Sequence, residues 1–201
     1  MARHTCVSVF AFITGSLGLL FNVLSVGTTS WLISLKDLKM EIGIFRHCDL
    51  DTQYCGGMSE IAAIVDAQEV AWFRAVQALF LLACVGSLLA TILMGLILIN
   101  FFDARGTFKV ASVVTFGSVV ATVTAVAFFG VHYRDIFVIT SSDAHLGYSF
   151  YCAIIGAGFL FISFIASALE ASQTSKVLQN MQHRLTVWST PYTLFVDQEQ
   201  A

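Results

Sequence analysis

Residues 7–29, 75–102, 110–131 and 146–169 form four stretches without a single charged side chain, rich in Leu, Val, Ile, Phe, Ala and Gly. Each exceeds the roughly 20 residues that an α-helix needs to cross about 30 Å of hydrocarbon. Backbone groups in hydrocarbon find no water, so a continuous apolar run must satisfy them within itself, as a helix does. The runs therefore predict spanning helices at about 7–31, 72–102, 109–131 and 146–170. Loops fall at 32–71 and 132–145, and a tail at 171–201. Only 11% of residues are charged, 57% are hydrophobic and the mean hydropathy is +0.82. Soluble domains carry about 25% charged residues, so this surface belongs in a lipid bilayer, not in water. The expected class is an all-α membrane bundle of four transmembrane helices. As a straight helix the second run would measure about 42 Å, so it tilts or projects beyond the bilayer. The first run is longer than the usual apolar core of a signal peptide, about 7–15 residues, and reads as a retained helix.

Four spans put both termini on one side. Lys and Arg do not say which side, because Arg3, Arg105, Lys109, Lys176 and Arg184 balance Lys36, Lys39, Arg46, Arg74 and Arg134. Cys48 and Cys55 are more informative, as the only two cysteines in a polar loop. If that loop faces the oxidising outside they can pair, and the termini are cytoplasmic; in a cytosolic loop both would be free thiols. Cys6 then sits at the inner membrane edge, either as a palmitoylation site or as a plain interfacial cysteine.

Within the first loop, Leu38, Met40, Ile42 and Ile44 alternate with polar or small residues, the pattern of a half-buried strand. Gly43 suggests a bulge or a close backbone approach, and Gly56-Gly57 a turn. Ile61 to Val65 and Ile136 to Thr140 are further strand candidates. Together they predict a small extracellular antiparallel β-sheet of three to five strands over the helix ends. Asn22, in mid-membrane, must hydrogen-bond inside the bundle. Trp72 and Phe73 fall where an aromatic belt belongs, and Arg74 follows them with Gln77 one turn deeper. Residues 103–109 read as a tight turn around Arg105-Gly106, and the tail as mostly disordered.

The composition excludes several functions. A net charge of −3 provides no basic footprint for nucleic acid. HExxH, G-x-S-x-G, P-loop and dinucleotide motifs are all absent. His47, His132 and His145 lie in or beside the loops, but the reading assigns them no metal. The chain is expected to be no enzyme and to need no cofactor.

Trp31, then Gly43-Ile44-Phe45, then Cys48 and Cys55 resemble the claudin superfamily signature W…GLW…C…C. That superfamily includes claudins, the peripheral myelin and epithelial membrane proteins, and the calcium-channel gamma subunits. Arg74-Ala75 stands where many members have Arg-Ala. Val26-Gly27-Thr28, Phe73-Arg74-Ala75-Val76 and Gly147-Tyr148-Ser149-Phe150-Tyr151 look most like the gamma branch. Ile44 and Phe45 depart from the usual Leu and Trp, and both the loop and the gap between the cysteines are shorter than usual. The resemblance covers nearly the whole chain, as a single claudin-like domain over 1–201. It implies a Cys48–Cys55 disulfide stapling adjacent strands, with Trp31 and Phe45 wedged at the lipid–water boundary and Gly43 permitting close contact. It also implies that Arg74 bonds the loop to the second helix.

The function so implied is structural: a plasma-membrane protein of cell–cell junctions that forms or regulates a paracellular barrier or channel, self-associating within one membrane and between two. The alternative is an auxiliary subunit of a channel or receptor, presenting the small-residue faces of the third and fourth spans, Ala121/Ala125, Ala153/Ala157 and Ser163/Ser167. From Lys36 to Glu69 the loop carries three basic and seven acidic residues. Glu60, Asp66 and Glu69 are the candidates for setting an ion preference, which would favour cations.

Overall fold

A computed structural model describes residues 6–34, 40–57, 67–99, 104–133 and 144–196. Among the described residues, four helices are long and apolar enough to cross a membrane: α1 (Cys6–Gly27), α2 (Ala67–Leu98), α3 (Ala104–His132) and α4 (Tyr148–Val196). This is a multi-pass membrane protein. The first helix packs chiefly on α4, α2 on α3, and α3 on α4. Large apolar side chains such as Phe10, Leu20, Leu82, Val113 and Ile155 face outward, as a lipid solvent requires. The interior combines large apolar side chains with many small and hydroxyl-bearing residues, which let helices approach closely.

Hydroxyls are satisfied mostly by backbone carbonyls. Thr115 and Thr122 donate to Ala111 and Ser118, one turn back. Ser163 donates across the helix pair to the Ala11 carbonyl at 2.7 Å. Asn22 is fully buried, and its amide reaches Thr122 Oγ1 at 3.4 Å, the intrabundle bond expected of a mid-membrane asparagine. The small pairs Ala121/Ala125, Ala153/Ala157 and Ser163/Ser167 are all buried within the bundle. They are used up holding these four helices together.

Five short strands cap one end: β1 (Leu32–Ser34), β2 (Met40–Ile42), β3 (Arg46–Asp49), β4 (Cys55–Gly57) and β5 (Ala144–Leu146). They form one antiparallel sheet in the order β4-β3-β2-β1-β5. The second loop is thus knitted to the first, with Leu32 opposite Leu146 and Ser34 opposite Ala144.

Several local expectations need correction. The first helix stops at Gly27 instead of running to residue 31, and the chain turns so that Trp31 folds back beneath it. Gly56 and Gly57 belong to β4. The turn comes earlier, at 50–54, because Asp49 Oδ1 accepts the Asp51 amide at 2.9 Å and Gln53 adopts a left-handed φ of 53°. Arg105 and Gly106 lie in the first turn of α3. The fourth helix continues to Val196, so the tail expected to be disordered is helical over most of its length. No glycine or proline interrupts the chain between Gly158 and Pro191, which removes the usual reason for a helix to stop. The strand candidates Ile61 to Val65 and Ile136 to Thr140 lie outside the described residues.

Candidate functional site

The sheet is locked to the helix ends by its core. Trp31 is 0% exposed, with its ring edge-on to Phe80, Phe129 and Phe150 at 5.0, 4.9 and 5.8 Å. Its indole N–H donates to the Ser25 carbonyl at 2.7 Å. One side chain thereby joins α1, α2, α3 and α4 directly under the sheet. The expected wedge at the lipid–water boundary is instead the centre of a protein core. Ile44 is fully buried in the same cluster, while Phe45 is half-buried against its edge. The apolar depth of the motif therefore comes from Ile44. Phe73 is also buried there, and the half-buried Trp72 stacks on His132 with ring centres 5.4 Å apart.

Gly43 makes the close approach anticipated for it. A Cβ there would lie 2.8 Å from both the Thr28 carbonyl oxygen and the Thr29 Cα. Its amide donates to the Arg46 carbonyl at 2.8 Å, closing the bend between β2 and β3. Arg74 is exposed and bonds to no other described residue. The link expected of it is made by Gln77, whose Nε2 donates to the Ile44 carbonyl at 2.6 Å. Gln77 stands one turn further along α2, deep enough to reach the bend, whereas Arg74 lies on the outward face.

Glu41 was not singled out in the sequence, yet it closes the junction between α1 and β1. Its Oε2 accepts Ser30 Oγ at 2.7 Å and Thr29 Oγ1 at 3.1 Å. Two adjacent hydroxyls before Trp31 and a glutamate in an apolar-alternating strand were the available signal, but only the register brings them together. Hydrogen bonds to a charged acceptor contribute about 1.5–3 kcal/mol each when buried and less when solvated. Glu41→Ala is expected to cost about 1–2 kcal/mol, and Glu41→Gln, which keeps an acceptor oxygen, clearly less. Thermal unfolding in mild detergent reads the difference; equal losses in both variants would refute the carboxylate's role as an acceptor.

Cys48 and Cys55 form a disulfide between directly opposed residues of β3 and β4. Beyond it projects an exposed finger carrying Leu50, Asp51, Thr52, Gln53 and Tyr54. The Asp51 amide, the Thr52 hydroxyl and the Thr52 amide hold the Asp49 carboxyl below the usual carboxylate range. Asp49 is therefore ionised throughout the neutral range, at the base of the finger. Closing a loop this short is worth about 2–3 kcal/mol in the chain-entropy picture. Cys48→Ser and Cys55→Ser should each lower the melting temperature and retain the protein inside the cell, measured by surface biotinylation. Normal surface levels of both would contradict the stapling role.

Of the acidic candidates, Glu69 falls in the first turn of α2, while Glu60 and Asp66 lie outside the described residues. His47 is in β3, His132 ends α3 and His145 is in β5. Among the described residues no three His, Cys, Asp or Glu side chains are grouped to hold a metal. The arrangement offers a sheet fixed on the helix ends, with no grouped metal-ligand set among the described residues. The PMP-22/EMP/MP20/Claudin family model matches residues 5–166. No curated protein matches the chain.

Proposed function

Because the chain belongs to the PMP-22/EMP/MP20/Claudin family, we propose that its sheet meets the same sheet on a neighbouring cell and there forms or regulates a paracellular barrier or channel. The observation that carries this reading is how the described sheet is tied to the helix ends. Trp31, Gln77 and Glu41 fix the sheet on the bundle, and the Cys48–Cys55 disulfide pre-orders its projecting finger. A face already ordered loses little entropy on docking, which favours association. In this reading the sheet is extracellular, both termini are cytoplasmic, and the protein works without catalysis at plasma-membrane junctions.

The loop's charge sets the ion preference of such a space. Asp49 stands at the base of the exposed finger and Asp51 within it, and Glu60, Asp66 and Glu69 follow in sequence. Carboxylates facing a narrow aqueous gap attract cations. A cell layer expressing the protein is expected to pass Na⁺ over Cl⁻ in dilution-potential measurements, and Asp49→Asn to weaken that preference. Equal or anion-favouring permeability would sink the proposal for the charge.

The auxiliary-subunit reading rests on the gamma-like segments and would present the small-residue faces of the third and fourth spans to a channel. Those faces are buried within the bundle, so a channel would have to meet other surfaces of these helices. Gly117 and Gly158, exposed with open space beside them, are what the two helices still offer outward. Purification in mild detergent separates the readings: a co-purifying channel would favour the auxiliary role.

A further inference from the structure

The fourth helix is 49 residues long, but its apolar span ends at Gln173. The remainder, at about 1.5 Å per residue, extends about 35 Å on the side of the membrane away from the sheet. Among the described residues, no other helix of the bundle runs as far. Ala166 packs in one cluster with Ala11, Met94 and Ala111. From that level, Cys6, Leu98 and Ala104, where the other helices begin or end, lie within about two turns.

This extension carries a pattern that the span lacks. Leu178, Met181, Leu185, Trp188, Tyr192 and Phe195 recur at alternating intervals of three and four residues. A repeat of 3.5 on a helix of about 3.6 residues per turn keeps one stripe in line only if two helices supercoil left-handedly. In heptad terms Leu178, Leu185 and Tyr192 take the a positions, and Met181, Trp188 and Phe195 the d positions. Between them the sequence is mainly polar, with Gln179, Gln182, His183 and Arg184.

We propose that this extension is a self-association element that pairs in parallel with the same helix of a second copy. Two observations and the geometry of a shared bilayer select that occupant. The helix continues without a break from the span, so it leaves the membrane instead of lying on it. Among the described residues, the other three helices begin or end near the level where the apolar span of α4 stops. Copies in one bilayer all emit this helix from the same face, at the same depth and in the same direction. The bilayer thus supplies the parallel orientation and register that a short coiled coil needs, and it raises the local concentration.

The test uses the full chain in native membranes, with Cys6, Cys84 and Cys152 replaced by Ser and the Cys48–Cys55 disulfide kept. Single cysteines are introduced as Met181→Cys, Leu185→Cys, Gln179→Cys and His183→Cys, and a short bifunctional maleimide is added. Each thiol adds across a maleimide double bond, so no oxidant is required. Dimers are expected several-fold more abundant for the first two variants, and adding Leu185→Glu to Met181→Cys should abolish them with surface delivery unchanged. Uniform cross-linking at all four positions, or none at any, would overturn the proposal. Quenching of Trp188 fluorescence by brominated lipids, in a chain with the other two tryptophans replaced by Phe, would place the helix on the bilayer and overturn it too.

Discussion

Replacing Gly147 by alanine is expected to detach the second loop from the sheet and to remove most of the protein from the cell surface. A Cβ at this position would overlap the Ser30 carbonyl oxygen and lie 2.7 Å from its carbon. That carbonyl cannot move aside freely. It accepts the Ser149 amide at 3.1 Å and immediately precedes Trp31, whose carbonyl accepts the Gly147 amide at 2.9 Å. Relief of the clash therefore separates β5 from β1 and breaks both bonds, along with the 2.6 Å hydroxyl contact between Thr28 and Ser149. Overpacking against backbone costs about 1–3 kcal/mol, and each lost hydrogen bond about 1 more. A total of about 3 kcal/mol or more is a large share of the roughly 5–15 kcal/mol that holds a domain folded. Surface biotinylation and thermal unfolding in detergent measure it. Gly158→Ala, facing open space, is the control and should leave both readings unchanged.

Trp31→Ala has the other large expected effect. It empties the junction of four helices and removes three edge-on ring contacts together with the bond to Ser25. Truncating a buried aromatic costs about 3–5 kcal/mol. Trp31→Phe keeps a ring but gives up the indole donor, so it should cost about 1–2 kcal/mol. The same unfolding measurement ranks the two. A Trp31→Ala protein as stable as the parent would show that the residue is a belt aromatic after all.

The four spans were legible because hydrocarbon imposes a length and an apolarity that no other environment demands together. The strand at Met40–Ile42 was legible through its alternation, and the cysteine pair through its place in the only long polar loop. The fifth strand was not. Ala144–Leu146 is three residues long, too short to carry a period, and its partner β1 lies more than a hundred residues away. The same distance hid the second-loop contacts of Thr28 and Ser30. Arg74 drew notice because charge is rare near a span, yet the uncharged Gln77 makes the bond. Choosing between them needed the depth of the helix relative to the bend at Ile44, which one-dimensional spacing does not contain. Trp31 was recognised as important but placed at the wrong boundary. An aromatic at a span end reads as a belt residue until the turn after Gly27 is known to tuck it inward. The polar composition after Glu170 reads as disorder, yet helix-compatible residues carry α4 to Val196.

The central claim is that the sheet is a pre-ordered face meeting its own kind across the gap between cells. Mixing cells that express a fluorescent form of the protein with cells that do not, and imaging their borders, tests it most directly. Enrichment is expected at contacts between two expressing cells, and none where an expressing cell touches a silent one. Equal intensity at both kinds of border would contradict it.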